Sequence, residues 1–134
     1  MRMYLSRHVR PWCGGIIIRG RKIYEPPRYM SIPQAVTQLA EVEDARSGGV
    51  LVPERTLAVA LSRVGADPEN ERIVCGTLAQ LQEQPLEAFG DPLHSLVIVG
   101  RRLHHLEAEY AAAFAVDATS WRDIARVVYG CNFD

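Results

Sequence analysis

The stretch "TLAVALSRVG", Thr56–Gly65, decides how the chain is read. Leu57, Val59, Leu61 and Arg63 alternate with Ala58, Ala60, Ser62 and Val64, the period of two that an extended chain imposes on its side chains. The pattern predicts a strand with small residues on one face, where a helix or a ligand can come close. Downstream, "PLHSLVIV", Pro92–Val99, predicts a second strand. His94, Leu96 and Ile98 share one of its faces, opposite Leu93, Ser95, Val97 and Val99, and Gly100 ends it.

Helices are expected around these two strands. Ser31 stands three residues before Gln34, a capping-box spacing, and Pro33 is tolerated in a first turn. The helix that follows groups Val36, Leu39, Ala40 and Glu43 on one face and fades at Ser47, Gly48 and Gly49. Asp67 and Pro68 predict a cap and first turn for a second helix, with Ile73, Val74, Leu78 and Leu81 on its buried stripe and Pro85 closing it. Cys75 falls inside that pattern as a small buried residue. "LHHLEAEYAAAFA", Leu103–Ala115, predicts a last helix burying Leu103, Leu106, Tyr110 and Phe114. Pro26 and Pro27 predict a stiff connector ahead of the first helix. A strand, helix, strand, helix succession implies an α/β layer with adjacent strands and flanking helices.

The 134 residues correspond to one domain with a single core. Hydrophobic residues at 48% and charged ones at 23% match ordinary globular usage. No apolar run approaches the roughly 20 residues that span a bilayer, so a soluble protein is expected. The net charge of −1 argues against a polyanionic partner. Residues 1–28 are nevertheless basic, with Arg2, Arg7, Arg10, Arg19, Arg21, Lys22 and Arg28 against Glu25 alone. Without a signal-peptide core or amphipathic period, that stretch reads as an atypical terminus rather than a targeting segment. Cys13, Cys75 and Cys131 are odd in number and widely spaced, which disfavours a disulfide framework or zinc site and fits a reducing, cytosolic compartment.

Few residues carry chemistry on pattern alone. His104, His105, Glu107 and Glu109 suggest metal ligands on a helix, but HxxE is too short to be specific and solvated polar residues are the favoured reading. His105 and Glu109, one turn apart, are spaced to pair. Ser95 and His94 face opposite ways and make no nucleophile–base pair. The aromatic and basic residues of "RGRKIYEPPRY" are spaced to stack on and neutralise nucleic acid, but Tyr24 and Tyr29 packing on the core is the commoner explanation. His94 has two readings: a half-buried ring bonded to a neighbouring carbonyl at a strand start, or a pocket wall beside the "RVGAD" turn. The residues alone favour the first.

The blocks "GRKIYEPPRYMS", "LSRVGAD", "CGTLAQL" and "GDPLHSLVIVGRRLHHLEAEY" resemble, in this order, the carboxy-terminal half of the diphthine synthases. The likeness runs from about Arg19 to about Phe114. It implies the fold of tetrapyrrole-methylase-like methyltransferases: two α/β domains, a mixed sheet flanked by helices in this half, and the cofactor S-adenosyl-L-methionine folded between the domains of a cytoplasmic homodimer. It also implies methyl transfer to the modified histidine of translation elongation factor two in diphthamide biosynthesis. Matching positions assign cofactor contacts to Val64 and His94, with Gly65 allowing close backbone approach. No catalytic residue and no metal ligand is implied, and neither nucleic acid nor membrane is expected as a partner.

The resulting division is residues 1–18 as a segment unlike the family, 19–116 as the family's carboxy-terminal domain, and 117–134 as a variable tail. Nothing here resembles the family's amino-terminal domain, and His105 stands where the family commonly has proline. A truncated chain, inactive alone, is therefore expected. The alternative is a non-catalytic fragment that keeps a dimerisation or elongation-factor-binding surface.

Overall fold

The computed structural model describes residues 28–133 and the backbone of a hairpin formed by β1 (Ile16–Ile18) and β2 (Arg21–Ile23). The connector at Pro26–Pro27, Tyr24 and most of segment 1–18 lie outside the described residues. A three-stranded antiparallel sheet organises the rest, formed by β3 (Leu57–Ser62), β4 (Arg72–Thr77) and β5 (His94–Ile98) in the order β4-β3-β5. Ala60 lies opposite Val74 and Leu96, and Ser62 opposite Arg72 and His94. Cys75 adds a parallel bridge to Ala115. Helices flank this sheet on both faces, the α/β arrangement expected.

The small-residue face of β3 does admit a helix. Ala58 and Ala60 pack with Ile32 and Val36 of α1 (Ile32–Arg46), and with Leu78, Leu81 and Phe89. Burying a residue such as Val36 or Leu81 contributes about 1.5–3 kcal/mol relative to exposure. α1 begins at the expected capping box, in which Ser31 Oγ accepts from the Gln34 N–H and the Gln34 side chain accepts from the Ser31 N–H. It ends at Ser47, whose φ of 49° is left-handed.

The second expected helix is mostly a strand. Residues 72–77, "RIVCGT", alternate Arg72, Val74 and Gly76 with Ile73, Cys75 and Thr77, and β3 supplies a full ladder of partners. β-branched residues and a glycine weaken a helix here, and cross-strand pairing outweighs the cap-like Asp67–Pro68. The Asp67 carbonyl instead accepts the Asn70 and Glu71 N–H groups in the hairpin turn. Only α2 (Leu78–Glu83) is helical, started by a Thr77–Gln80 capping box and stopped before Pro85. Cys75 is buried as expected, but on β4 rather than in a helix.

The other sheet face is covered by the end of the chain. Leu57 and Cys75 pack with Ala108 and Ala112 of α3 (His105–Ala112), and with Trp121 and Ala125 of α4 (Ala118–Tyr129). The buried stripe of α3 is thus alanine. Leu106 is 61% exposed and Tyr110 71%, the reverse of the sequence expectation. Small side chains let α3 approach the sheet and α4 closely, a preference that ranking residues by hydrophobicity misses. No element is expected from the sequence beyond Ala115. α4 nevertheless supplies Trp121, 1% exposed, whose Nε1–H donates to the Ala108 carbonyl at 2.8 Å. Asp117 caps α4 by accepting from the Thr119 and Ser120 N–H groups, and the Tyr129 hydroxyl accepts the Leu57 N–H at 3.1 Å. Among the described residues, no helix is long and apolar enough to cross a membrane.

Candidate functional site

The three strands place Arg72, Ser62 and His94 in one row across the sheet end where β3 finishes. Val64 follows Ser62 by two residues, so the turn carrying Val64 and Gly65 lies at the same end as His94. Side chains tie the two segments together. Ser62 Oγ donates to the Asp91 carbonyl at 2.7 Å, and Arg63 Nη2 donates to the Pro92 carbonyl at 3.3 Å and lies 3.7 Å from the Asp91 carboxylate. That ion pair is exposed and contributes little by itself. The buried Ser62 bond is the firmer tie.

Gly65 has φ +87°, a region that favours glycine, and a Cβ there would meet nothing within 4 Å. Its N–H donates to Glu71 Oε2 at 2.6 Å, fixing the bend. Val64 is 60% exposed, an apolar side chain held open at the rim.

His94 takes the first of its readings, a half-buried ring bonded to a neighbouring carbonyl at the start of a strand. Its Nε2 lies 3.0 Å from the Gly90 carbonyl, and its ring meets Phe89 edge-on with centroids 6.4 Å apart. A carbonyl only accepts, so Nε2 carries the hydrogen and in the neutral ring Nδ1 is left as an acceptor. Nδ1 is buried and has no hydrogen-bond partner. Such an acceptor costs about 1–3 kcal/mol unless something donates to it. Buried polar groups are otherwise paired in the great majority of cases, so an orphan at this sheet end points to a ligand or water as its donor.

A cavity of ≈ 180 Å³ opens beside this end, lined by Arg63, Glu69, Asn70, Arg72, Gly90 and Asp91. Ligand pockets run to roughly 300–1,000 Å³. Val64, Gly65 and His94 are not among the cavity's lining residues, and at this size it is no enclosed ligand pocket. Arg63, Arg72, Glu71 and Asp91 were missed in the sequence because their approach depends on the β3–β4 hairpin, whose second strand reads as a helix.

The other sequence candidates lie elsewhere. His104 caps α3, with Nδ1 accepting from the Leu106 N–H at 3.3 Å while Glu107 accepts from the His104 N–H at 3.1 Å. His105 stacks beside it, with ring centroids 4.2 Å apart, and no ion pair joins His105 to Glu109 among the described residues. No group of three or more His, Cys, Asp or Glu side chains gathers for a metal among the described residues. Ser95 is exposed, and Tyr29 is 51% exposed rather than packed. Cys75 is a buried thiol whose pKa burial raises to about 11, and Cys131 is also raised, by burial and then by Glu107. Neither thiol is a ready nucleophile.

No model of a known protein family matches the chain. Diphthine methyl ester synthase of Gibberella zeae is 46% identical over 112 residues, which cover 84% of this chain and 38% of that protein. The Mus musculus diphthine methyl ester synthase is 48% identical over 110 residues, covering 80% and 37%. The chain matches the carboxy-terminal part of the diphthine synthases. It spans 34–38% of the length of the curated relatives it matches. The diphthine synthase likeness extends to structure. A protein assigned as a diphthine synthase from Entamoeba histolytica superposes with a TM-score of 0.61 at 32% identity, covering 69% of this chain and 34% of that one. A second diphthine synthase crystal structure gives 0.54 at 30% identity, covering 73% and 34%.

Proposed function

We propose that the chain is part of an S-adenosylmethionine-dependent methyltransferase of diphthamide biosynthesis and contributes Val64, Gly65 and His94 to the methyl donor's binding wall. The modified histidine of translation elongation factor two is the acceptor, and the enzyme works in the cytoplasm as a homodimer. Domain division follows the same likeness, with residues 19–116 as the carboxy-terminal methyltransferase domain. The observation carrying this reading is the orphaned Nδ1 of His94, at the sheet end that also carries the Val64–Gly65 turn. An acceptor at that point fits the adenosyl group, which is rich in N–H and O–H donors.

When bound, the cofactor supplies a methyl group on a sulfonium, already activated for transfer. The residues of this chain have a binding and aligning task. His94 holds its Nε2 hydrogen on the Gly90 carbonyl and offers Nδ1 as an acceptor. Gly65, without a Cβ, leaves room for the backbone to approach a ligand, and Val64 offers apolar surface. Alignment of this kind is worth several kcal/mol of a transfer barrier.

Titration with S-adenosylhomocysteine tests the reading. Saturable binding weakened by His94→Ala is the expected result, and binding indifferent to that change overturns the site. A second reading, a non-catalytic surface for dimerisation or for elongation factor, is favoured by the exposed Leu106 and Tyr110 on α3. It gains if S-adenosylhomocysteine does not bind at all. Methylation of the diphthamide intermediate on elongation factor by the full gene product is expected, and inactivity there removes the assignment.

A further inference from the structure

The opposite end of the sheet carries a second cavity, of ≈ 410 Å³, that the methyltransfer reading does not use. The loop before β3 lines it with Leu51 and Val52, the end of β5 with Val99, and the end of α4 with Val128. Two arginines, Arg55 and Arg101, stand at the rim. Both are exposed, and neither guanidinium has a hydrogen-bond or ion-pair partner among the described residues.

The hydroxyls of this cavity have the same polarity as the arginines. Thr56 is 8% exposed and its Oγ1 accepts the Val52 N–H at 2.9 Å. The Tyr129 hydroxyl accepts the Leu57 N–H at 3.1 Å. With its acceptor side engaged by backbone, each hydroxyl retains a hydrogen to donate. The polar side chains of the site thus offer two cationic guanidinium groups and two hydroxyls that can each donate, set around an apolar floor. Donors in this number fit an anion, guanidinium forks match both carboxylate and phosphate, and the apolar floor beside them favours a carboxylate carried next to an apolar side chain. The volume lies within the roughly 300–1,000 Å³ of ligand pockets.

We infer that this cavity docks a short acidic peptide segment, with an apolar side chain on the Leu51, Val99 and Val128 floor and flanking carboxylates on Arg55 and Arg101. The site is independent of the methyl donor and lies away from His94, which opens β5 where Ile98 ends it.

The test is calorimetric titration of the 134-residue chain, without S-adenosylmethionine, with acetyl-Glu-Leu-Glu amide at low salt. Saturable binding is expected, weakened at least fivefold by Arg55→Gln and by Arg101→Gln separately, and unchanged by Arg122→Gln on α4. All three side chains are exposed, and an unchanged circular dichroism melting curve verifies the fold of each variant. Acetyl-Gln-Leu-Gln amide is expected to bind at least tenfold more weakly. Equal binding of the two peptides, or indifference to both cavity arginines, overturns the inference. Inorganic phosphate displacing the peptide at equal molar affinity also overturns it, because the site is then one for a small anion. Each result leaves the S-adenosylhomocysteine test untouched.

Discussion

Replacing His94 with phenylalanine should move stability and ligand affinity in different directions. A flat ring, somewhat larger than the imidazole, is kept at the edge of Phe89. Two polar terms disappear. Removing the buried, unpaired Nδ1 returns about 1–3 kcal/mol, and losing the Nε2–H bond to Gly90 forfeits about 0.5–1.5 kcal/mol. The net ranges from about 0.5 kcal/mol against the variant to about 2.5 kcal/mol in its favour. With a urea m-value of about 2 kcal/mol/M, the unfolding midpoint falls by no more than about 0.25 M and rises by as much as about 1.25 M. Binding of S-adenosylhomocysteine should fall, because a ligand donor that satisfies Nδ1 in the parent finds no acceptor. A loss of about 1–3 kcal/mol corresponds to roughly five- to 150-fold weaker affinity by calorimetry. A variant that retains the parent's affinity refutes the assignment of Nδ1 to the ligand. One that loses more than about 2 kcal/mol of stability shows instead that the ring is held by its own fold.

Three other perturbations check separate parts of the structure. Trp121→Ala should lower unfolding free energy by about 3–5 kcal/mol in a urea titration, since it empties a fully buried site and removes the bond to the Ala108 carbonyl; a change under 1 kcal/mol would mean that α4 is not part of the core. Gly65→Ala meets no steric neighbour, so its cost is the left-handed backbone alone, about 1–2 kcal/mol, and an unchanged unfolding midpoint would contradict the bend. Cys75, with its folded pKa raised from 9.0 to about 11, favours folding below pH 9 and loses that contribution as pH climbs through 11. Thermal melts should therefore weaken across that window in the parent and less so in Cys75→Ala, whereas parallel profiles would point to other groups.

Much of the architecture is legible in local patterns. The alternation of β3 and β5 and the capped start of α1 need only neighbours within a few positions, while the adjacency of the two strands follows from the succession of elements, and the structure has all three. What fails does so where tertiary pairing decides. "RIVCGT" carries apolar residues compatible with a helix stripe, and only the ladder with β3 selects the strand. The alanines of α3 become its buried face because Trp121 and the sheet demand close approach, while Leu106 and Tyr110 turn outward. At the candidate site, the bend at Gly65 and the ring at the start of β5 are readable from type and position. The orphaned Nδ1 and the surrounding Arg63, Arg72 and Asp91 are not, since they arise from a register that brings distant segments together.

The bond from the Leu57 N–H to the Tyr129 hydroxyl joins positions 72 residues apart. It ties the first residue of the central strand to the last residue of α4. Synthesis from the amino end therefore produces β3, β4 and β5 well before the helix that seals them, leaving Leu57 and Cys75 open to solvent on the nascent chain. That interval is when the sheet is most exposed to association with other chains, and it closes only as the final turn of α4 leaves the ribosome.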